Sequence, residues 1–237
     1  MPRYEELLYP LGEGVAALVV MATEHEYGRH LKELGIKPLI TGLGPVQAAI
    51  ELTHALVKLQ VAEPSRRPDV IINLGSAGSA TLQQGAVYRV SHSGYRDMDA
   101  SAFGFAKGQT PFSPHPVTIE AAPIMPDFPC ASCSSGANVI SDHATTGADL
   151  ADMEYSALNE VAMKFGIALI GFKGISDGEK PLTGELVQWT ELLPIIDKNL
   201  AKAISELKAR LARGQIKKED LTRMPAHWRP EHAPFRA

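Results

Sequence analysis

Continuous apolar runs alternate along the chain with segments in which apolar residues recur at helical spacing. The apolar runs, several of them rich in β-branched residues, predict buried strands at 15–22, 38–41, 69–74, 86–92 and 167–174. Helical spacing predicts a helix that begins near His25 and further helices at 46–60, 153–165 and 192–212. Because strands and helices alternate, the predicted fold class is α/β, a single-domain three-layer αβα sandwich with a mostly parallel or mixed central sheet.

Two segments lack this pattern. Residues 94–129 are rich in glycine, proline and aromatic residues, which predicts a long irregular loop. Residues 215–237 are polar, contain prolines and offer little to bury, which predicts a surface tail or a subunit contact. We therefore divide the chain into one domain, residues 1–214, and a polar C-terminal tail, residues 215–237.

Composition and charge narrow the functional classes. Of 237 residues, 45% are hydrophobic and 21% charged, which suits one domain with a single sizeable core. The formal net charge of −4 provides no basic excess for phosphate backbones, so we expect no nucleic-acid partner. The longest apolar stretch, 15–22, is too short to span a bilayer, and residues 1–10 carry both charge signs without an apolar leader segment. We expect a cytoplasmic protein with no membrane partner.

The cysteines and histidines do not form a metal motif. Cys130 and Cys133 make a lone Cys-x-x-Cys with no second pair to complete a zinc site. A redox dithiol is one interpretation, and two reduced thiols in a small-residue loop are the favoured one. The histidines are scattered, and none of the pairs has the spacing of a helical zinc motif, so we expect no metal.

In an open parallel sheet, ligands bind outside the carboxyl ends of the strands, so the residues that follow each strand are candidates for a site. Four such places stand out, at 23–26, 42–44, 75–78 and 176–177. The glycines among them do not favour a nucleotide cofactor, because Gln47 occupies the third glycine position of the dinucleotide fingerprint and no Walker-type lysine follows either turn. Tight turning is the ordinary reason for such glycines, and we expect no cofactor.

Three carboxylates follow separate strands or begin helices, namely Glu26, Glu154 and Asp177. Departure of a purine from a nucleoside leaves an oxocarbenium-like sugar. The reaction needs an acid at the base, a nucleophile at the anomeric carbon and a group that holds the ribose hydroxyls. Three converging carboxylates can fill these roles, although any one of them taken alone is more often a helix-start residue or a solvated charge.

The residues around these carboxylates resemble a known family. Residues 152–157 read DMEYSA and residues 168–177 read ALIGFKGISD. They resemble the Met-Glu and Ser-Asp signature of the 5′-methylthioadenosine/S-adenosylhomocysteine nucleosidases, a group within the purine nucleoside phosphorylase superfamily. Three more segments match in order, with ATEHE at 22–26, VIINLGSAG at 70–78 and YRDMDASAFG at 95–104. The resemblance covers most of residues 15–210 and implies a nucleoside phosphorylase-like fold and a homodimer.

The resemblance implies a catalytic role for three side chains. Asp177 is the general acid that protonates or hydrogen-bonds N7 of adenine, and Ser176 helps to orient it. Glu26 activates the attacking water. Ser76 is its partner beside that water, on a turn that also offers backbone N–H groups.

The resemblance also implies how the sugar is held. Glu154 accepts hydrogen bonds from the 2′ and 3′ hydroxyls, and Met153 packs against the ribose. Leu43 lines the 5′ side of the site.

For the base, the resemblance places Val139 and Ile140 in the adenine pocket, where Ile140 offers its main-chain N–H and C=O to the base edge. Val139 stands where the family has a phenylalanine that stacks on adenine. Phe103 or Phe105 would then have to supply the stacking.

Hydrolysis is favoured over phosphorolysis. Related phosphorylases carry an arginine just before the Gly-Ser turn, whereas this chain has Asn73-Leu74, and no glycine-arginine loop precedes Glu26. Arg29 and Arg96 remain candidates to approach a phosphate from elsewhere. The expected partners are therefore a small-molecule purine nucleoside and water.

Three alternatives stay open, namely a nucleosidase for AMP, inosine or another purine nucleoside, a phosphate-dependent phosphorylase, and a non-catalytic nucleoside-binding protein. Binding alone would not require both Glu26 and Asp177, which argues against the last. Compared with the family, the chain is shorter between Glu26 and Gly42 and between Pro111 and Cys133, so the pocket rim is expected to differ. The tryptophans, Trp189 and Trp228, lie outside the matched segments and are interpreted as packing or subunit contacts.

Overall fold

The computed structural model describes residues 4–62, 67–140, 146–178 and 189–235. Its strands are β1 (Leu8–Gly12), β2 (Val15–Met21), β3 (Leu39–Ile40), β4 (Val70–Gly78), β5 (Val87–Tyr95), β6 (Thr118–Glu120), β7 (Cys130–Ser135), β8 (Leu150–Asp152) and β9 (Ala168–Asp177). Its α-helices are α1 (Arg29–Glu33), α2 (Pro45–Ala62), α3 (Tyr155–Phe165), α4 (Leu193–Ala212) and α5 (Lys218–Leu221). Among these helices, none combines the length and the apolar character that a membrane crossing needs.

The described strands form one mixed sheet. Parallel pairings join β2 to β3, β2 to β4, β4 to β9, β5 to β7 and β7 to β8, whereas β1 with β2, β4 with β8, β5 with β6 and β5 with β9 are antiparallel. Strands β4, β9, β5, β7 and β8 thus pair in a closed ring. The longest pairing, β4 with β9, brings the ends of these two strands together, with Gly78 opposite Asp177.

Helices cover both faces of the sheet because successive side chains of a strand point to opposite sides. Ile72 of β4 belongs to the core under α4, together with Leu200 and Leu207. Its neighbour Ile71 belongs to the core under α2 and α3, together with Leu56. The predicted three-layer αβα arrangement with a mixed central sheet is confirmed.

Several elements differ from the sequence prediction. Strand β4 continues through 75–78, a segment predicted as a turn, because its pairing with β9 extends to Gly78. The predicted loop at 94–129 contains β6 and a short 3₁₀ helix, Ser101–Phe103. Both cysteines lie on strand β7 rather than in a loop, and both are free thiols, with Cys130 exposed and Cys133 buried.

The C-terminal segment packs on the rest of the chain. Ile216 and Leu221 are buried in the core under α4, and Trp228 Nε1 donates a 3.1 Å hydrogen bond to the carbonyl of Met163. The expectation that this segment has little to bury is wrong for these residues, because a few apolar side chains among many polar ones suffice to anchor it. The division of the chain at Gly214 stays a prediction.

Candidate active site

Glu26 and Ser76 form the first part of the site. Thr23 caps the 3₁₀ turn Glu24–Glu26 by accepting a 2.9 Å hydrogen bond from His25 N, and this turn places Glu26 beside β4. Glu26 is only 4% exposed. Its Oε1 accepts hydrogen bonds from both the backbone N and the Oγ of Ser76, each at 2.7 Å. A Cβ atom at Gly75 would lie 3.0 Å from this oxygen, so glycine permits the close approach.

The second oxygen of Glu26 has a different environment. Oε2 is buried and makes no hydrogen bond with any of the described residues. A buried carboxylate oxygen without a partner is costly in a folded protein, and such atoms need an explanation. An oxygen of this kind can accept a proton from a small bound molecule.

Glu154 forms the second part. It is the residue immediately before α3, is 5% exposed, and its Oε1 accepts a 2.7 Å hydrogen bond from Gly44 N. Burial raises the pKa of Glu154 to about 7 and the negative charge of Asp152 adds to this, while Lys173 and the Gly44 N–H oppose it. Glu26 contributes a further upward push. The turn at 42–44, which carries Leu43, is thereby tied to the Met153-Glu154 segment.

A buried ion pair lies close enough to Glu154 to influence its pKa. Lys173 Nζ lies 2.7 Å from Asp152 Oδ2, and both side chains are at most 2% exposed. Asp152 also accepts hydrogen bonds from the Ser135 hydroxyl at 2.6 Å and from Tyr155 N at 3.0 Å. Burial opposes the charge on each partner, but their mutual attraction prevails, so the pKa of Asp152 is lowered and that of Lys173 is raised. Sequence reasoning missed this pair.

Asp177 ends strand β9, next to the end of β4. The Ser176 hydroxyl donates a 2.5 Å hydrogen bond to Asp177 Oδ1 and lies 3.4 Å from the carbonyl of Ala77. Ser176 is buried, whereas Asp177 is partly exposed. The two side chains are therefore in contact, and their catalytic roles stay predictions.

Trp189 is a residue of the site that sequence reasoning set aside. Its Nε1 donates a 2.8 Å hydrogen bond to Ser76 Oγ. Its ring lies against that of His25, with 6.1 Å between the centroids. Trp189 lies outside every matched segment, so nothing in the sequence indicated its contact with Ser76.

The remaining predicted residues differ in their exposure. Met153 and Ile140 are partly buried, whereas the side chains of Leu43, Val139 and Phe103 are 58%, 69% and 85% exposed. Of the two aromatic residues considered for stacking, Phe103 lies on an exposed 3₁₀ turn, and Phe105 packs edge-on against Phe112. The roles of all these residues stay predictions.

Arg96 holds the loop that follows β7. Its guanidinium donates hydrogen bonds to the carbonyls of Ser134, Asp152, Gly136 and Asn138, at 2.6, 2.8, 3.2 and 2.7 Å. Asp97 accepts a hydrogen bond from the backbone N of Ala137 in the same loop. Arg29, the other arginine considered for phosphate, forms an exposed ion pair with Glu33 at 2.6 Å. Both arginines are thus engaged elsewhere.

Two further features bear on the site. Among the described residues, no three histidine, cysteine, aspartate or glutamate side chains are arranged to hold a metal ion. A cavity of about 540 Å³ lies between the start of α2, strand β5 and the start of α3, and its lining includes Val46, Ile50, Tyr95 and Glu160. The carboxylates Glu26, Glu154 and Asp177 are outside that lining.

Several known proteins of similar sequence and structure are nucleosidases. A 5′-methylthioadenosine/S-adenosylhomocysteine nucleosidase of Actinobacillus succinogenes is 30% identical over 227 residues, covering 84% of this chain and 94% of that protein. The Helicobacter pylori nucleosidase of that name, solved with butyl-thio-DADMe-Immucillin-A, superposes with a TM-score of 0.66 at 18% identity, over 81% of this chain and 97% of that one. The Colwellia psychrerythraea nucleosidase, solved with adenine, has a TM-score of 0.65 at 19% identity, over 82% and 95%. No family model matches the chain.

The relatives and the fold together define the class, which is an N-glycosyl hydrolase with a nucleoside phosphorylase-like fold. Within that class, the chain belongs to the 5′-methylthioadenosine/S-adenosylhomocysteine nucleosidase family. The family resemblance predicted from the sequence is confirmed.

Proposed function

We propose that the chain hydrolyses the N-glycosidic bond of 5′-methylthioadenosine or S-adenosylhomocysteine and releases adenine and the ribosyl product. The observation that carries this proposal is the arrangement of Glu26, whose Oε1 is held by Ser76 while the buried Oε2 has no partner among the described residues. Such a carboxylate suits a base for a water molecule. The names of the relatives supply the substrate class.

Glu154 is proposed to hold the ribose. Its two oxygens can accept from the 2′ and 3′ hydroxyls only when the group is ionised, and hydrogen bonds to the ionised form favour that form. Because the pKa of Glu154 is raised to about 7, the hydroxyls of a bound nucleoside would draw the group toward ionisation.

Asp177 is proposed as the acid at the purine. Its carboxyl group would give a proton to N7, the bond from C1′ to N9 would break with its electrons moving to the base, and the sugar would pass through an oxocarbenium-like state. Water would then bond to C1′ and lose a proton to Glu26. The Ser176 hydroxyl, 2.5 Å from Asp177 Oδ1, supports a fixed orientation of the acid.

Hydrolysis, rather than phosphorolysis, is supported by the charges around the water position. Glu26 and Glu154 are both buried and acidic, and a phosphate dianion beside them would be repelled. Arg96, which sequence reasoning kept as a phosphate candidate, donates to four main-chain carbonyls instead.

The test is chromatography of the products formed from methylthioadenosine, S-adenosylhomocysteine, AMP and inosine, each with and without phosphate. Free adenine from either of the first two without phosphate supports the proposal. Release of base only with phosphate would identify a phosphorylase, and cleavage of AMP or inosine alone would identify a different purine nucleosidase. Binding without any cleavage would favour a nucleoside-binding protein.

We also propose that the chain forms a homodimer in the cytoplasm. Three apolar side chains near the start of α2 are more than half exposed, namely Leu43, Val46 and Ile50, and apolar clusters of this kind favour association. Light scattering after gel filtration should show a dimer that Ile50→Asp dissociates. Ile195→Asp, at an exposed apolar position on α4, is the matched control, and a monomeric wild type would refute the dimer. Two free thiols fit a reducing compartment.

A further inference from the structure

Trp189 contacts the same hydroxyl group that contacts the proposed base. Its ring nitrogen Nε1 lies 2.8 Å from Ser76 Oγ. Ser76 Oγ in turn lies 2.7 Å from Glu26 Oε1. The three side chains therefore form a chain of hydrogen bonds that ends on the carboxylate.

The direction of each hydrogen bond follows from the chemistry of the groups. An indole N–H only donates, so Ser76 Oγ must accept from Trp189. The single proton of the hydroxyl then points to Glu26 Oε1, which also accepts from the backbone N–H of Ser76 at 2.7 Å. Both donors of Ser76 are therefore directed to Oε1.

This arrangement distinguishes the two oxygens of Glu26. Oε1 accepts two hydrogen bonds, whereas the buried Oε2 accepts none from the described residues. A water molecule that reaches Ser76 would find a lone pair of Oγ already taken by the indole. Glu26 Oε2, which accepts from none of the described residues, is therefore the freer acceptor for a proton of that water.

The indole lies against the same turn that carries Glu26, the proposed general base. The ring of His25 lies 6.1 Å from the Trp189 ring, at an angle of 54°. His25 is in turn fixed by Thr23, whose Oγ1 lies 3.0 Å from His25 Nδ1. Trp189 therefore contacts the Glu26 turn through His25 and is linked to the Glu26 carboxylate through Ser76.

We propose that Trp189 is a positioning residue for the attacking water, an inference that rests on the proposed hydrolysis. Because the indole N–H occupies a lone pair of Ser76 Oγ, the hydroxyl group keeps donating its hydrogen bond to Glu26 Oε1. Once the C1′–N9 bond has broken and its electrons are on the purine, Oε2 is the oxygen that takes the water proton as the bond from C1′ to the water oxygen forms. Trp189 acts through Ser76 and does not touch the reacting atoms.

The first test compares Trp189→Phe, which keeps an aromatic ring but removes the N–H, with Trp228→Phe. Trp228 also donates through Nε1, but to the carbonyl of Met163 on α3, so its variant controls for loss of an indole hydrogen bond. We expect Trp189→Phe to lower kcat by about tenfold with KM changed less than about twofold, the scale of one lost hydrogen bond. Trp228→Phe should leave both constants within about twofold.

A double-mutant cycle separates positioning through Ser76 from a general structural effect. If Trp189 acts through the hydroxyl, Trp189→Phe should cause no further loss of kcat in a Ser76→Ala background. Losses that multiply would show two independent effects and would overturn the proposal. A loss confined to KM, or unchanged kinetics of Trp189→Phe, would overturn it as well.

A third measurement reports on the nucleophile itself. In water containing methanol, the sugar can be captured by either molecule, and Trp189→Phe should increase the share of methyl riboside relative to wild type. An unchanged ratio of products would show that Trp189 does not select water. Failure of the proposed function is distinct, because the wild-type chain would then release no adenine from any nucleoside.

Discussion

Lys173 Nζ lies 2.7 Å from Asp152 Oδ2 in an ion pair that is almost wholly buried. Lys173 belongs to strand β9, which also carries Asp177, and Asp152 precedes the Met153-Glu154 segment. The pair thus joins the strand that ends in the proposed acid to the segment that holds the proposed ribose ligand. Because a charge left alone in the interior is strongly unfavourable, the two residues should depend on each other.

Removal of one partner should therefore destabilise the fold. We expect Lys173→Met to lower the free energy of unfolding by about 3 to 5 kcal/mol, because it leaves the Asp152 carboxylate buried without its cation. Urea unfolding followed by circular dichroism measures this. The double variant Lys173→Met with Asp152→Asn removes both charges and should recover part of the loss. A double variant that is less stable than the single one would contradict this account.

The raised pKa of Glu154 should appear in the pH dependence of catalysis. A carboxyl group with a pKa of about 7 is mostly protonated below that pH and ionised above it. Since the ionised form accepts from the ribose hydroxyls, kcat/KM should rise with pH through this region, with a slope near tenfold per unit on the acid side. The profile is measured from pH 5 to about pH 9.

The control for this pH dependence is Glu154→Gln, which cannot ionise. In that variant, kcat/KM should be low and should lose the rise near pH 7. The same rise in the variant and in the wild type would assign it to another group.

Asp177→Asn should remove the acid while keeping the shape of the side chain. We expect kcat to fall by about 10²- to 10⁴-fold, the usual contribution of a positioned general acid, with binding of a non-hydrolysable nucleoside analogue largely preserved. Single-turnover adenine release and calorimetry measure the two quantities. Asp127→Asn, at a side chain that is 66% exposed and paired with Arg210, is the matched control. Turnover near the wild-type rate would exclude Asp177 as the acid.

Arg96 should affect substrate binding through the loop at 136–140. Its guanidinium holds the carbonyls of Gly136 and Asn138, and Ile140 is the predicted main-chain reader of the adenine edge. We expect Arg96→Ala to raise KM by about tenfold, on the scale of one charge-assisted hydrogen bond, with a smaller effect on kcat. Arg29→Ala, which removes an exposed ion pair, should leave both unchanged. An effect on kcat alone would place Arg96 in the chemistry rather than in base binding.

The parts of the fold that were predictable are those with a strong pattern. The apolar runs that became β4 and β9 are buried on both faces, so their hydrophobic signal is continuous. Strand β7, with the sequence CASCSS, and the three-residue β8 have no such signal, because small polar residues fit both a strand and a loop. Their pairing is decided by the neighbouring strands.

The residues of the candidate site were likewise predictable only where the sequence carries a motif. Ordered motifs located Glu26, Glu154 and Asp177, and the structure brings Glu26 to Ser76 and Glu154 to the turn at Gly44. Lys173 was missed because a lysine inside an apolar run reveals no partner, and Asp152 is 21 residues earlier in the chain. Trp189 was missed for a similar reason, since its contact with Ser76 spans 113 residues. Long-range partners of this kind are set by the packing of whole elements.

The closed ring of β4, β9, β5, β7 and β8 has a consequence for how the molecule meets its neighbours. A ring has no outer strand, so each of these five strands has a paired neighbour on both sides over part of its length. In the described residues, only β1, β3 and β6 lie at the margins of the sheet. Strand addition from another chain is therefore directed to these three strands rather than to β9 and β8, the strands that lead to Asp177 and Glu154.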